Sequence, residues 1–332
     1  MDKFEPSGRA GPSRRDVILL GVGAFAVVAA PIWHARWRSL VRRSVPVMGT
    51  IAEIGVVHRD ERYAHGAIDA AIARLRYVER IMTRFDVSSD VGRVNQRGDR
   101  EPTQISPATA CVVGESLRWA ESSEGAFDPC LGRVAELWDI GRRVAPPAAE
   151  QIRRLAGRRP YRTLDLDEWR GNPVVRFSEP DVAIDLGGIA KGYGVDQSVA
   201  VLRGWGIEDG LVNVGGDLYA LGNSEDGDPW VIGVRSPQDP AEVADRLEVS
   251  NEAVATSGDY LRFFRHNGRQ YHHLFDPATA APRESAVHSV TVAAGDCMTA
   301  DAAATAVFGM DASKADRLLR VRAAGARIAS AI

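Results

Sequence analysis

The spacing of apolar and polar positions changes several times along this chain, and each change marks an element. SVPVMGTIAEIGVV (44–57) alternates as a strand does and is broken at Met48-Gly49-Thr50. Over 62–82 the period becomes helical: Ala67, Ile68, Ala71, Ile72, Leu75, Val78, Ile81 and Met82 share one face, which predicts an amphipathic helix. A polar loop, TRFDVSSDVGRVNQ, follows and carries Phe85. Ser106 is placed to cap a helix that Pro107 begins, running through Trp119 and ending near Glu124-Gly125. Residues 141–170, rich in Arg and Pro, read as an exposed insertion with one short helix at 148–156.

In DVAIDLGGIAKGYGVD (181–196), Val182, Ile184 and Leu186 alternate up to Gly187-Gly188. A helix then opens with Ile189, Ala190, Lys191 and Tyr193 and continues over 192–204. A strand, a glycine turn and a helix start in so short a span let backbone amides approach an anion. Lys191 adds a cation in the first helical turn, where the helix dipole by itself favours an acid. Beyond it the pattern predicts a hairpin around Gly215-Gly216-Asp217 and a strand at WVIGVRSP. A second hairpin runs from EAVATSGDYLRFF through His266-Asn267-Gly268 to YHHLFDP. SVTVAAG is a further strand, and ADAAATAVFGM opens the last clear helix.

The N-terminus is of another kind. Residues 1–15 are polar and end in Ser13-Arg14-Arg15, and VILLGVGAFAVVAAP (17–31) is uncharged and apolar. A basic region before a short apolar one is the grammar of an export signal, and the paired arginines resemble a twin-arginine signal. Residues 1–43 are therefore assigned as an export signal or N-terminal anchor, and the product is expected in the periplasm or on the periplasmic face of the inner membrane. No cysteine follows the apolar run, which argues against a lipid anchor.

Charge sharpens this division. Residues 1–43 hold eight Lys and Arg against three acids, which leaves 33 basic and 41 acidic side chains in the body. A mildly acidic body is a poor electrostatic fit to nucleic acid, so none is expected as a partner. Cys111, Cys130 and Cys297 have no metal-ligand spacing and read mainly as small buried residues, a Cys111–Cys130 bridge being the alternative in an exported protein.

Candidate chemistry sits late in the chain. Asp301 and Thr305 lie four apart in an Ala-rich helix, so a carboxylate and a hydroxyl share one face. They form a partial hard-oxygen site suited to Mg²⁺, although a helix-terminal acid and a core threonine would look the same. His272, His273 and Asp276 cluster beside Pro277; a strand would send the two histidines to opposite faces. No GxGxxG between strand and helix, no GxxxxGK[ST] and no GxSxG is present, which weakens dehydrogenase, P-loop and esterase readings.

VMGT, AFDP, IDLGGIAKGYGVD, LVNVGGDLYALG, TSGDY, HHLFDPATAAP, SVTV and ADAAATAVF stand in the order seen in the ApbE family, and on these motifs the chain resembles the FAD:protein FMN transferases over nearly all of 44–332. The resemblance implies an α+β, T-fold-like architecture with mixed or antiparallel sheets and packed helices. Two intimately associated halves would enclose a flavin cleft with Mg²⁺ at its floor. It further implies Mg²⁺-dependent cleavage of FAD as substrate and transfer of FMN to a Thr or Ser hydroxyl of a membrane-associated flavoprotein, with AMP released.

Residue by residue, Asp301 and Thr305 match the family's metal-binding side chains, and Gly188 the position that gives a backbone carbonyl to the same ion. Met48, Phe85, Ala126, Phe127, Asp128, Asp185, Lys191 and Phe275 match flavin-nucleotide contact positions. His273 and Asp276, of the HxxDP element, are candidates for deprotonating the acceptor, with Lys191 aiding phosphoryl transfer. Ala280 stands where the family's DPxTGxP has glycine. The chain is also similar to the flavin transferases of nitrous-oxide reductase maturation (the NosX type). The same site would serve an FAD pyrophosphatase releasing FMN and AMP, and a flavin carrier without turnover is the reading outside catalysis.

Overall fold

The computed structural model describes residues 38–239 and 241–332, together with the backbone of two short strands at Val17–Ile18 and Phe25–Val28. The rest of the proposed export signal lies outside the described residues.

Seven strands build one antiparallel sheet in which spatial order follows chain order: β1 (Ser39–Val47), β2 (Thr50–His58), β3 (Gly210–Val214), β4 (Asp217–Leu221), β5 (Glu252–Gly258), β6 (Ser289–Ala294) and β7 (Arg327–Ala331). The first strand begins at Ser39, so the sheet takes in residues that the sequence pattern grouped with the leader. β1 and β2 are joined by the two-residue turn Met48-Gly49, with φ of 53° and 68°, and β3 and β4 by Gly215-Gly216. Positive φ at both central residues gives the turn a twist that matches the strands, and methionine is an unusual residue to accept it.

Among the described residues there are eight α-helices: α1 (Glu61–Met82), α2 (Asp90–Arg97), α3 (Pro107–Ser122), α4 (Gly132–Trp138), α5 (Ala149–Leu155), α6 (Ala190–Gly204), α7 (Cys297–Val307) and α8 (Ala312–Arg322). One sheet face, with Ala52, Ile54, Val212, Val214 and Ala255, packs against Ile68 and Leu75 of α1, Val199 and Leu202 of α6, and Ala300 of α7. The opposite face, with Val57, Leu211, Leu218 and Val254, is covered by a hairpin of Trp230–Arg235 and Val243–Val249. Period-two alternation thus puts every second residue of the central strands into one of two cores. Each fully buried aliphatic side chain contributes about 1.5–3 kcal/mol. Among the described residues, no helix is long and apolar enough to cross a membrane.

Several expectations change. The polar segment after α1 contains α2, capped by Ser89 Oγ accepting from the Gly92 amide at 2.8 Å; only Val91 and Val94 supply apolar burial, too little to show as a period. Within 141–170, the strand Leu164–Trp169 pairs with Asn172–Phe177, so the insertion is partly sheet. EAVATSGDYLRFF divides between β5 and a separate hairpin, Phe263–His266 with Arg269–His272. Cys130 and Cys297 are buried, while Cys111 is exposed on α3, and all three are free thiols.

Candidate functional site

The N-terminus of α6 and the middle of α7 meet over the ends of β4 and β5. Gly192 allows this approach, because a Cβ there would lie 2.2 Å from the Cys297 carbonyl oxygen. Asp196 of α6 locks the contact by accepting from the Cys297 and Met298 amides at 2.8 Å each, thereby capping α7. Burial pushes its carboxyl up to about 7 against those two bonds.

This packing brings Lys191 to Asp301, with Nζ 3.2 Å from Oδ1 and 3.3 Å from Oδ2. The same ammonium contacts Asp217 Oδ2 at the start of β4. Asp301 Oδ2 also accepts from the Gly192 amide at 3.0 Å. Burial opposes the Lys191 charge, but Asp217 and Asp301 outweigh it and hold the group above the ordinary lysine value. Burial and the neighbouring Asp301 push the Asp217 carboxyl up. One turn along α7, Thr305 Oγ1 lies 3.3 Å from Ser257 Oγ, and Gly188 packs directly on Thr305.

The segment 183–188 is held from both sides. Asn95 of α2 docks on it as a neighbouring strand would, donating to the Ile184 carbonyl at 2.9 Å and accepting from the Ile184 amide at 2.6 Å. The Asp185 amide donates to the Pro129 carbonyl at 2.8 Å, and Asp185 Oδ2 meets Arg84 Nε at 3.0 Å. Arg84 in turn covers the ring of Phe85 at 4.3 Å. Phe85 is 82% exposed, so the ring face not covered by Arg84 is open.

Other candidates serve from within the protein. Phe127 is buried, its ring in the core beneath Gly188, so it forms floor and not an open stacking face. Asp128 accepts from the Cys130 amide at 2.8 Å and the Tyr161 amide at 3.3 Å, and burial pushes it up to about 7. Phe275 is buried against Trp138, 6.2 Å between ring centroids. Met48 donates its amide to Glu79 Oε1 at 2.6 Å, which holds the hairpin tip in its left-handed conformation.

His273 Nδ1 lies 3.4 Å from the Arg262 carbonyl, and Arg262 Nη2 donates to the Gly49 carbonyl at 2.9 Å. Arg262 therefore links the β1–β2 tip to the histidine loop. Burial, then the Arg262 charge, pulls the His273 imidazole down to about 3, with Lys191 adding to the effect. Asp276 Oδ1 accepts from the Ala278 amide at 2.8 Å and so shapes its own turn. Ala280, where glycine was expected, has φ of 52°.

Besides Ser257, two residues that the sequence pattern did not single out join the site. Asp217 stood in a quoted motif, and the signal available was an acid immediately after a two-glycine turn. Arg283 gave no local signal. It is partly buried, desolvation pulls its guanidinium down to about 10, and it donates to the carbonyls of Phe275 at 3.0 Å, Thr305 at 3.0 Å and Phe308 at 2.8 Å, and to Ala126. Arg283 thereby ties three separate motifs to one point.

The ApbE family model matches residues 48–328. The chain belongs to the ApbE family. It is 34% identical over 272 residues to an FAD:protein FMN transferase of Vibrio cholerae, covering 81% of each chain. It is 32% identical to one of Treponema pallidum, covering 91% of this chain and 86% of the relative. Among solved structures, the Thermotoga maritima ApbE protein superposes with a TM-score of 0.78 at 31% identity, covering 87% of this chain and 94% of that one. The flavin transferase ApbE of Vibrio cholerae does so with a TM-score of 0.75 at 31% identity, covering 86% and 91%. The α+β, ApbE-like fold is thus established from both directions.

Proposed function

We propose that this chain is an FAD:protein FMN transferase acting on a flavoprotein outside the cytoplasm. The observation that carries the reading is the convergence of Gly188, Lys191, Asp301 and Thr305, drawn from distant segments, in a chain that belongs to this family.

The donor set fits a hard cation. Asp301, Thr305 and Ser257 offer only oxygen, and Lys191 already stands as a cation between two carboxylates. Two carboxylates and one ammonium leave a negative balance that an anionic dinucleotide would oppose. Mg²⁺ held by Asp301 and Thr305, with the Gly188 carbonyl, would supply the missing positive charge.

The remaining steps fall to the chain's own groups. Lys191 binds the pyrophosphate of FAD, and Phe85 and Met48 border the rings. The hydroxyl oxygen of an acceptor Thr or Ser attacks the phosphorus on the FMN side. A new P–O bond forms as the bridging P–O bond breaks, and AMP leaves with the electron pair. The hydroxyl proton passes to His273 or to Asp276; burial and the Arg262 charge keep the imidazole neutral but also weaken it as a base.

The test is incubation with FAD, Mg²⁺ and a target carrying a Thr acceptor. Covalent FMN on the target with stoichiometric AMP is expected; free FMN instead would make the protein a pyrophosphatase, and intact FAD a carrier. For export, a reporter fused to residues 1–43 is expected outside the cytoplasm, and Arg14→Lys with Arg15→Lys is expected to retain it inside.

A further inference from the structure

We propose that Asp217 is a positioning residue for Lys191: it anchors the ammonium to the sheet, so that Asp301 is left for a cation while the lysine stays directed at the nucleotide. The inference rests on the functional reading above.

The two carboxylates that share Lys191 are not equivalent. Asp301 lies on α7 one turn from Thr305 and has a second partner in the Gly192 amide, so it keeps a hydrogen bond if the ammonium shifts. Asp217 opens β4 directly after the Gly215-Gly216 turn and is 2% exposed. Its position is fixed by the β3–β4 register, with Val214 opposite Asp217. The turn is itself tethered, with the Gly215 amide on the Ile51 carbonyl at 3.1 Å and the Gly216 amide on Asn213 Oδ1 at 2.9 Å.

A lysine has four rotatable side-chain bonds, and only a rigid partner can hold its charge to one place. The partner must also be one that a cation does not claim. Asp301 belongs to the proposed metal set and cannot do both. Asp217, seated in the sheet, can hold Lys191 with the metal site loaded or empty.

The test uses the full chain. Asp217→Asn is expected to lower kcat about a hundredfold, as for displacement of a positioned group. The half-saturating Mg²⁺ should stay within about threefold of wild type, and in the Lys191→Met background the substitution should cost less than about threefold. Asp217→Glu keeps the charge but displaces the ammonium, and it is expected to lose about tenfold in kcat should the Asn variant fail to fold.

FAD affinity in EDTA, read by flavin fluorescence, tests the coupling without turnover. Lys191→Met should weaken binding about tenfold beside Asp217 and less than about threefold in the Asp217→Asn background. A tenfold rise in half-saturating Mg²⁺ would make Asp217 a metal ligand. Multiplying losses would give it an independent role, and a fully active Glu variant would remove the need for placement; each overturns the proposal. Wild-type protein that binds FAD but transfers nothing would sink the transferase reading alone, since the binding cycle still reports on the pair.

Discussion

Gly188 stands against Thr305 so closely that a Cβ on the glycine would lie 3.0 Å from both Oγ1 and Cγ2 of the threonine, and 3.4 Å from the Phe127 ring. The φ at Gly188 is not positive, so glycine is required here for approach and not for turn geometry. Gly188→Ala must therefore push Thr305 or the 183–188 segment aside. The expected cost is about 1–3 kcal/mol in urea unfolding, and transfer should fall about tenfold or more because the displaced hydroxyl sits in the site. Unchanged turnover would show that Thr305 can move without consequence.

Asp301 is 3% exposed and accepts from Gly192 while facing Lys191. Asp301→Ala should reduce FMN transfer to about 1% of wild type or less, with the far-UV circular dichroism retained. The freed Gly192 amide should cost about 1–3 kcal/mol. Full activity in that variant would remove Asp301 from the proposed metal set.

Ala280 carries a left-handed φ of 52° with its side chain fully buried, and its carbonyl accepts from Trp138 Nε1 at 2.7 Å. The conformation costs an L-residue about 1 kcal/mol relative to glycine. Ala280→Gly is expected to raise stability by up to about 1 kcal/mol, less what glycine adds to the unfolded chain's entropy. A loss of more than about 1 kcal/mol on urea titration would mean that the buried methyl outweighs the strain.

His273 is pulled from 6.5 to about 3 in the folded protein. Its carbon-bound ring proton should therefore show no NMR titration between pH 8 and 5. The linkage has a definite sign. An unfolded chain takes up this proton near 6.5 and the folded one only near 3, so stability is full above 6.5 and is lost as pH falls toward 3. Urea midpoints at pH 7.5 and 5 should differ less in His273→Asn than in wild type. Equal differences would place His273 in a more solvated setting.

Much of the fold was legible because the signals were local. The helical stripe from Ala67 to Met82, the cap at Ser106 with Pro107 after it, and the hairpin at Gly215-Gly216 each depend on neighbours a few residues away, while 44–57 reads as one strand broken at Met48-Gly49-Thr50 and is in fact two antiparallel strands. Asp301 and Thr305 could be paired for the same reason, since four residues make one helical turn. The ordered motifs then placed the chain in its family. What the sequence by itself could not decide is what lies opposite those residues. Lys191 and Asp217 are 26 positions apart, Lys191 and Asp301 are 110, and Arg283 reaches Ala126 across 157. Those meetings depend on α6 lying against α7 over the sheet, which a glycine contact and the Asp196 cap permit and no periodicity encodes. Spacing along the chain chose the elements and the face each residue takes; burial of those faces against one another chose which charges share a site.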